Sequence, residues 1–499
     1  MARITRRMFC RKSLAAGAAA GLAATVPWCD AAGRVRGAND DVRIAIIGLG
    51  STVKVGGQGK NDMRRLREVP GVRIAGLCDV DRAILEPEVE NCQALGEDVE
   101  SYTDVRRLLD SKDIDAVNIT TPNHWHALAT IWACQAGKDV HVQKPASHNI
   151  FEGRKMVEAA QRYDRIVQSS AGPRGRTGMG EAFAYIRQGH LGKILLSHGV
   201  NYRPRMSIGK VDAPTPVPET LDYDLWSGPA PIVPVMREFL HYDWHWNWLY
   251  GNGDLGNMGI HYMDGCRWAL GQETLPERVI SLGGRFGYSD DGETPNTQLV
   301  FLDYRPAPIL FEVRALPKNA ELRRQPWERN AAATMDEYRG IRIGTVVHCE
   351  EGYVVNNRAF DRQGELIQEF EPTNTDILTN FIEAVRSRRA GDLSTDVLEG
   401  HLSAALVHMG NISYRVGRAM PAGEIGEAVE DERDLLEAYD RMLAHLDANE
   451  IDLDGTPIVM GAWLRMDPAE ERFHGRLGES ANALLMGEYR PPFVVPSEV

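Results

Sequence analysis

The chain has no Cys-x-x-Cys pair, no His-Glu-x-x-His and no other spacing that closes a zinc site. This holds although its 499 residues include 7 cysteines and 14 histidines. No metal is therefore expected. The cysteines (Cys10, Cys29, Cys78, Cys92, Cys134, Cys266 and Cys349) are scattered, and the last five read as buried core thiols. One disulfide through Cys78 or Cys92 stays open if the compartment is oxidising. Positive charge is also in short supply. The formal net charge is −14, and such a surface repels a phosphate backbone, so nucleic acid is not expected as a partner. Internal repeats are absent, and no apolar run is long enough for a stable membrane span. What is left, 43% hydrophobic and 25% charged, is ordinary globular composition. The length suggests two or three domains.

The first residues stand apart. Arg3, Arg6, Arg7, Arg11 and Lys12 precede any acid, and an Ala/Gly-rich stretch from Leu14 to Trp28 follows. That is the layout of a signal peptide. Arg6-Arg7, with Phe9 and Lys12 behind them, resembles the twin-arginine consensus. Residues 1–38 are expected to be a twin-arginine signal peptide cleaved between Cys29 and Ala38. Export to the periplasm or another extracytoplasmic space follows from it. This route moves folded proteins, so a cofactor would be loaded inside the cell and held tightly.

Residues 39–165 carry strand and helix patterns in alternation. Val42 to Ile47 is a short apolar run that ends in Gly48-Leu49-Gly50. Such a strand running into a glycine turn lets the backbone approach a pyrophosphate. The position where a third small residue is wanted holds Val53, and glycines return only at Gly56, Gly57 and Gly59, so the loop is longer than usual. A second strand, Val72 to Cys78, ends at Asp79, an acid suited to a ribose 2′-hydroxyl. It favours NAD over NADP, although Arg82 lies nearby. Strands at 115–120 and 139–143 flank a helix that opens at Asn123.

Thr121-Pro122-Asn123-His124-Trp125-His126 and Gln143-Lys144-Pro145 resemble two motifs of the Gfo/Idh/MocA oxidoreductases. The resemblance runs on through Glu152 to Val157, Leu221 to Pro229 and Gly253 to Asp264, and covers most of residues 41 to about 420. It implies an N-terminal Rossmann doubly wound sheet, then an α+β domain with a large open, mostly antiparallel sheet over residues 166–425. Residues 426–499 read as a C-terminal helix and extended arm. The resemblance further implies NAD bound by Gly48, Gly50, Asp79, Thr121, Pro122, Asn123, His126, Gln143 and Lys144. Lys144 and His261 take the positions of proton-transfer groups. Gln143 replaces the family's glutamate, and Asn257 replaces its acid four residues before His261, on the same helix face. A homo-oligomer, dimer or tetramer, is implied as well.

For the substrate, the aromatic and histidine-rich run from His241 to Trp248 suits a carbohydrate, which combines C–H faces with hydroxyls. Arg203, Arg205, His245 and Trp246 are candidate contacts, and Asp264 is a candidate to orient the His261 imidazole. The leading reading is an NAD-dependent oxidoreductase acting on a sugar or polyol hydroxyl. Two others stay open: an NAD-dependent glycoside hydrolase working by transient oxidation of the sugar, and a non-catalytic sugar-binding protein.

Overall fold

The computed structural model describes residues 41–499 except 52–54, 173, 175–177, 326–331 and 373–375. The expected signal peptide, Cys10, Cys29 and Val53 lie outside the described residues. The body from Val42 to Val499 is one compact unit.

Its first sheet has six strands: β1 (Val42–Ile47), β2 (Val72–Cys78), β3 (Glu100–Tyr102), β4 (Ala116–Ile119), β5 (Asp139–Val142) and β6 (Val167–Ser169). They are parallel, in the order β3-β2-β1-β4-β5-β6. Helices cover both faces of a parallel sheet, so its central strands can be apolar throughout. β1, β4 and β5 are almost wholly buried. The order reverses between β1 and β4, and ligands bind at the carboxyl edge beside such a switch point. The sixth strand lies just beyond the expected domain boundary at 165.

The second sheet has twelve strands: β7 (Ile194–Tyr202), β8 (Arg278–Gly284), β9 (Thr297–Leu302), β10 (Ile309–Arg314), β11 (Ile343–Cys349), β12 (Gly352–Val355), β13 (Arg358–Asp361), β14 (Leu366–Glu369), β15 (Arg418–Met420), β16 (Ile458–Met460), β17 (Leu464–Asp467) and β18 (Arg472–His474). Its pairs are antiparallel except β10 with β7. The helices Ile260–Leu270 and Val397–Arg415 fill one face. The helix Arg433–Ala448 lays Leu435, Ala438, Tyr439, Met442 and Leu446 on the other, against Ile280, Leu282, Leu299, Phe301 and Leu310. That spacing puts the apolar positions on one helical stripe.

The C-terminal segment is more than an extended arm. Three of its short strands extend the second sheet, and its final residues return to the first domain. There Phe493, Val495 and Val499 join the core formed by Trp125, Leu128, Val140 and Val157. The five described cysteines are all buried and free, so Cys78 and Cys92 form no disulfide.

Candidate functional site

Two adjoining cavities open at the carboxyl edge of the parallel sheet, lined in common by Gly56, Thr120, Thr121, Trp244 and His245. The first, about 840 Å³, runs from Gly48 and Gly50 past Asp79 to Asp104 and Trp125. The second, about 1300 Å³, holds Gly57, Lys60, Arg64, Asn123, His126, Gln143, Lys144 and Asn257.

The glycine turn explains the odd spacing in the sequence. Gly48 has φ 85° and Gly50 φ 139°, backbone that favours glycine. A Cβ at Gly59, in the first turn of the helix Gln58–Arg67, would overlap the carbonyl oxygen of Gly48. Gly59 thus does the helix-on-strand packing expected of a third glycine, nine residues after Gly50. Ahead of that helix, Gly57 lacks any side-chain cap, and a Cβ there would meet nothing within 4 Å. An uncapped helix start that faces a cavity is a natural seat for a pyrophosphate.

Asp79 is buried and accepts hydrogen bonds from the backbone N–H groups of Leu49 (2.8 Å) and Asp81 (3.0 Å). Burial raises its pKa. Its oxygens keep lone pairs for a ribose hydroxyl. No lysine or arginine lines this first cavity, so a 2′-phosphate would meet no cation. Arg82 points away and reaches the Glu219 carbonyl at 3.5 Å. Thr121 lines both cavities, and its buried hydroxyl oxygen has no hydrogen-bond partner. These features fit a bound NAD.

Lys144 follows the end of β5. Its Nζ donates to the backbone oxygen of Asn257 (2.5 Å) and to Asn257 Oδ1 (3.1 Å). Burial lowers its pKa to about 8, with Arg205 and Arg203 adding to the effect. Asn257 sits in a π-helical turn, Leu255–Gly259, that leads into the helix bearing His261, a feature common at functional sites. Burial, with the nearby Lys144 charge, holds His261 at about 3, so its imidazole is neutral. Lys144 and Asn257 are thus in direct contact, and His261 is near enough for the Lys144 charge to lower its pKa.

Several expected contacts are engaged elsewhere. Gln143 Nε2 donates to Asp62 (2.9 Å), a fully buried acid that also accepts from Gln58 (2.8 Å). The carboxylate missing at 143 is thus supplied one layer deeper. Asn123 Nδ2 donates to Asn252 Oδ1 (2.9 Å). The His126 ring lies between the carbonyl oxygens of Pro145 (2.7 Å) and Thr121 (2.8 Å), bracing the two loops.

On the substrate side the corrections are larger. Asp264 does not orient His261: its carboxylate accepts from Arg174 (2.9 and 3.0 Å) and from Ser403 (2.7 Å). Arg205 is no open substrate contact, being buried in a fork with Asp254 at 2.7 to 3.1 Å. Its guanidinium also stacks over the buried Trp246 at 5.7 Å. His245 and Trp244 roof the two cavities. A Cβ on Gly56 would touch the Tyr242 ring, so the aromatic run bears on the glycine loop. His241 Nε2 lies 2.9 Å from Asp81 Oδ2 and ties the roof to the tip of β2. Arg203 stays partly exposed and close enough to lower the pKa values of Lys144 and His261. Asp62 and Asp254 escaped sequence reasoning. An acid at a helix position otherwise facing a core, as at Asp62 between Gly59 and Met63, was the available signal.

Residues 42–170 match the oxidoreductase family GFO_IDH_MocA, described as an NAD-binding Rossmann fold. Residues 192–282 match the C-terminal α/β domain of the same family. The levoglucosan dehydrogenase of Pseudarthrobacter phenanthrenivorans is 26% identical over 287 residues, 55% of this chain and 63% of that protein. The inositol 2-dehydrogenase of Salmonella typhimurium is 27% identical over 186 residues, 37% of this chain and 52% of that one. The matches thus span less than two thirds of these relatives. Among solved structures, the WlbA dehydrogenase from Bordetella pertussis, in complex with NADH and UDP-GlcNAcA, shares the fold. Its TM-score is 0.50 at 18% identity, over 75% of this chain and 97% of that one.

Proposed function

Because this chain is an oxidoreductase of the Gfo/Idh/MocA family with an NAD-binding Rossmann domain, we propose that it is an NAD-dependent dehydrogenase acting on a sugar or polyol hydroxyl. The observation that carries the reading is Lys144. It is half-buried, lines the second cavity, which adjoins the one that starts at the glycine turn, and is hydrogen-bonded to the turn that presents His261. The relatives named as dehydrogenases of levoglucosan and inositol support the substrate class.

The fit to the cofactor rests on the uncapped helix start at Gly57, the Asp79 carboxylate and the unpartnered Thr121 hydroxyl. Once bound, the nicotinamide supplies a hydride acceptor. The neutral His261 imidazole accepts a hydrogen bond from the substrate hydroxyl and orients its proton, but at a pKa of about 3 it is too weak a base to keep it. Lys144, with a pKa near working pH, shares or passes on that proton and holds the hydroxyl oxygen. Asn257 anchors the lysine. Arg203, beside both groups, contacts the polar rim of the substrate. The roof formed by Tyr242, Trp244 and His245 sheds water from the reacting centre and retains the dinucleotide.

We extend the proposal to location: the twin-arginine pattern at Arg6-Arg7 directs export of the folded, cofactor-loaded protein. The decisive experiment is to purify the protein, denature it and assay the released nucleotide, then to screen sugars and polyols for reduction of NAD. Stoichiometric NAD together with a reduced product is the expected result. Neither released NAD nor binding of added NAD would remove the redox reading. Free sugar released without net NAD reduction would move the chain to the hydride-borrowing glycosidases. Replacing Arg6 and Arg7 by lysine should leave a reporter fusion in the cytoplasm, and export of that variant would end the localisation proposal.

A further inference from the structure

Far along the second sheet, β15, β16, β17 and β18 frame a groove of about 1540 Å³. Arg418, Arg465, Arg476 and His474 line it, together with Trp463, Met460 and other apolar groups, and no acidic residue does. Such a surface is out of character for a chain of net charge −14. Arg418, Arg465 and Arg476 have no ion-pair partner among the described residues. The cationic neighbour Arg278, by contrast, is satisfied by Asp303 (3.0 Å) and Glu432 (2.8 Å).

The strand register sharpens the anomaly. Leu464, Met466 and Phe473 are buried in the core, so the alternate residues Arg465 and His474 point away from it and are exposed. Arg465 stands directly opposite His474 on β18 and directly opposite Arg278 on β8. Residues so paired share a face, and like charges opposite one another destabilise a sheet. Two rungs on, on the same face, Asp467 pairs with Arg472 and is complementary. On this face of the hairpin one pair is thus matched in charge, while Arg465 has no acid opposite it on either neighbouring strand, an arrangement that an anion in the groove would compensate.

We propose that this groove is a second carbohydrate site, separate from the catalytic one, which takes a short acidic glycan. The glycan's carboxylates pair with Arg418, Arg465 and Arg476. Arginine presents a planar fork of donors that matches a carboxylate in bidentate fashion. Trp463, Met420, Met460 and Leu477 supply apolar wall for the C–H faces of sugar rings. That wall argues for a glycan over a bare phosphate chain, which has no such faces. A lipid surface fits poorly, because none of the large exposed apolar side chains lies in the groove. A long nucleic acid would meet the acidic remainder of the protein.

The test is calorimetric titration of the full-length protein with trigalacturonate at about 10 mM salt, where screening is weak and charges act over ~30 Å. Maltotriose, inorganic tripolyphosphate and a short single-stranded DNA serve as comparison ligands. Trigalacturonate should bind, and maltotriose should not. Arg465→Glu and Arg476→Glu should each weaken binding at least tenfold. Arg465→Glu relieves the like-charged rung, so its thermal midpoint should hold or rise, which separates lost binding from lost folding. Binding should persist in Lys144→Met, which makes the outcome independent of the catalytic proposal. Three results would overturn the inference: no binding of trigalacturonate, binding untouched by both substitutions, or tighter binding of tripolyphosphate or DNA.

Discussion

The two sides of the cavity hold their polar groups in different ways. On the nucleotide side, the parts that matter are backbone: the turn at Gly48 and Gly50, the helix start at Gly57, and Asp79 held by two N–H groups. On the substrate side, side chains hold one another: Arg205 pairs with Asp254, and Asp264 is held by Arg174 and the Ser403 hydroxyl. A backbone cradle stays open to a ligand, whereas a paired side chain is already occupied. A conspicuous charge in a sequence therefore reports on ligands less reliably than a conspicuous glycine.

Four substitutions press on that contrast. Lys144→Met should cost the most, lowering kcat by roughly 10²- to 10⁴-fold, or about 2.7–5.4 kcal/mol, with the NAD content of the purified protein unchanged. The wild-type kcat for oxidation should rise with pH through about 8, as Lys144 loses its proton, and the variant should lose that limb. His261, held at about 3, contributes no limb near neutrality. A limb that survives in Lys144→Met would assign the titration elsewhere. The same shift acts on stability. An unfolded lysine titrates near ~10.4, so between 8 and that value the unfolded chain binds more protons, and the folded state gains stability as pH rises.

Arg205→Leu comes next. It strands Asp254 in the core and should destabilise the fold by about 3–5 kcal/mol in a denaturant titration. An unchanged midpoint with a raised KM would instead return Arg205 to the substrate. Gln143→Glu sets a second carboxylate against buried Asp62, and should weaken NAD binding by about 1–3 kcal/mol. Asp62→Asn in the same chain should restore it, a rescue that simple loss of packing would not produce. The smallest effect belongs to Arg203→Gln, which is half-exposed. Stability should stay within about 0.5 kcal/mol, while the substrate KM rises and NAD affinity holds.

The parallel sheet could be read from the sequence because each strand is a short apolar run between turn signals, and β1, β2, β4 and β5 fall within a residue or so of expectation. Lys144, Asn257 and His261 could be placed because motif and helical spacing are local properties. The Gly59 packing was hidden by the nine-residue gap after Gly50. The partners of Arg205 and Asp264 were hidden for a deeper reason. Arg205 and Asp254 are 49 residues apart, and Arg174 and Asp264 are 90 apart. No sequence period connects such pairs; only the register of the folded sheet does. The parallel β10–β7 pairing inside an otherwise antiparallel sheet was obscure for the same cause.

The tail that packs Phe493, Val495 and Val499 into the core of the first domain bears on the order of events during synthesis. Ribosomes add about 5–20 residues per second, so a nascent chain with β6 complete still waits tens of seconds for those side chains. Until translation has passed residue 499, the nucleotide-binding half lacks part of its own interior. Cofactor loading then falls after the ribosome has finished with this stretch of chain. That timing favours a post-translational maturation step over assembly on the nascent polypeptide.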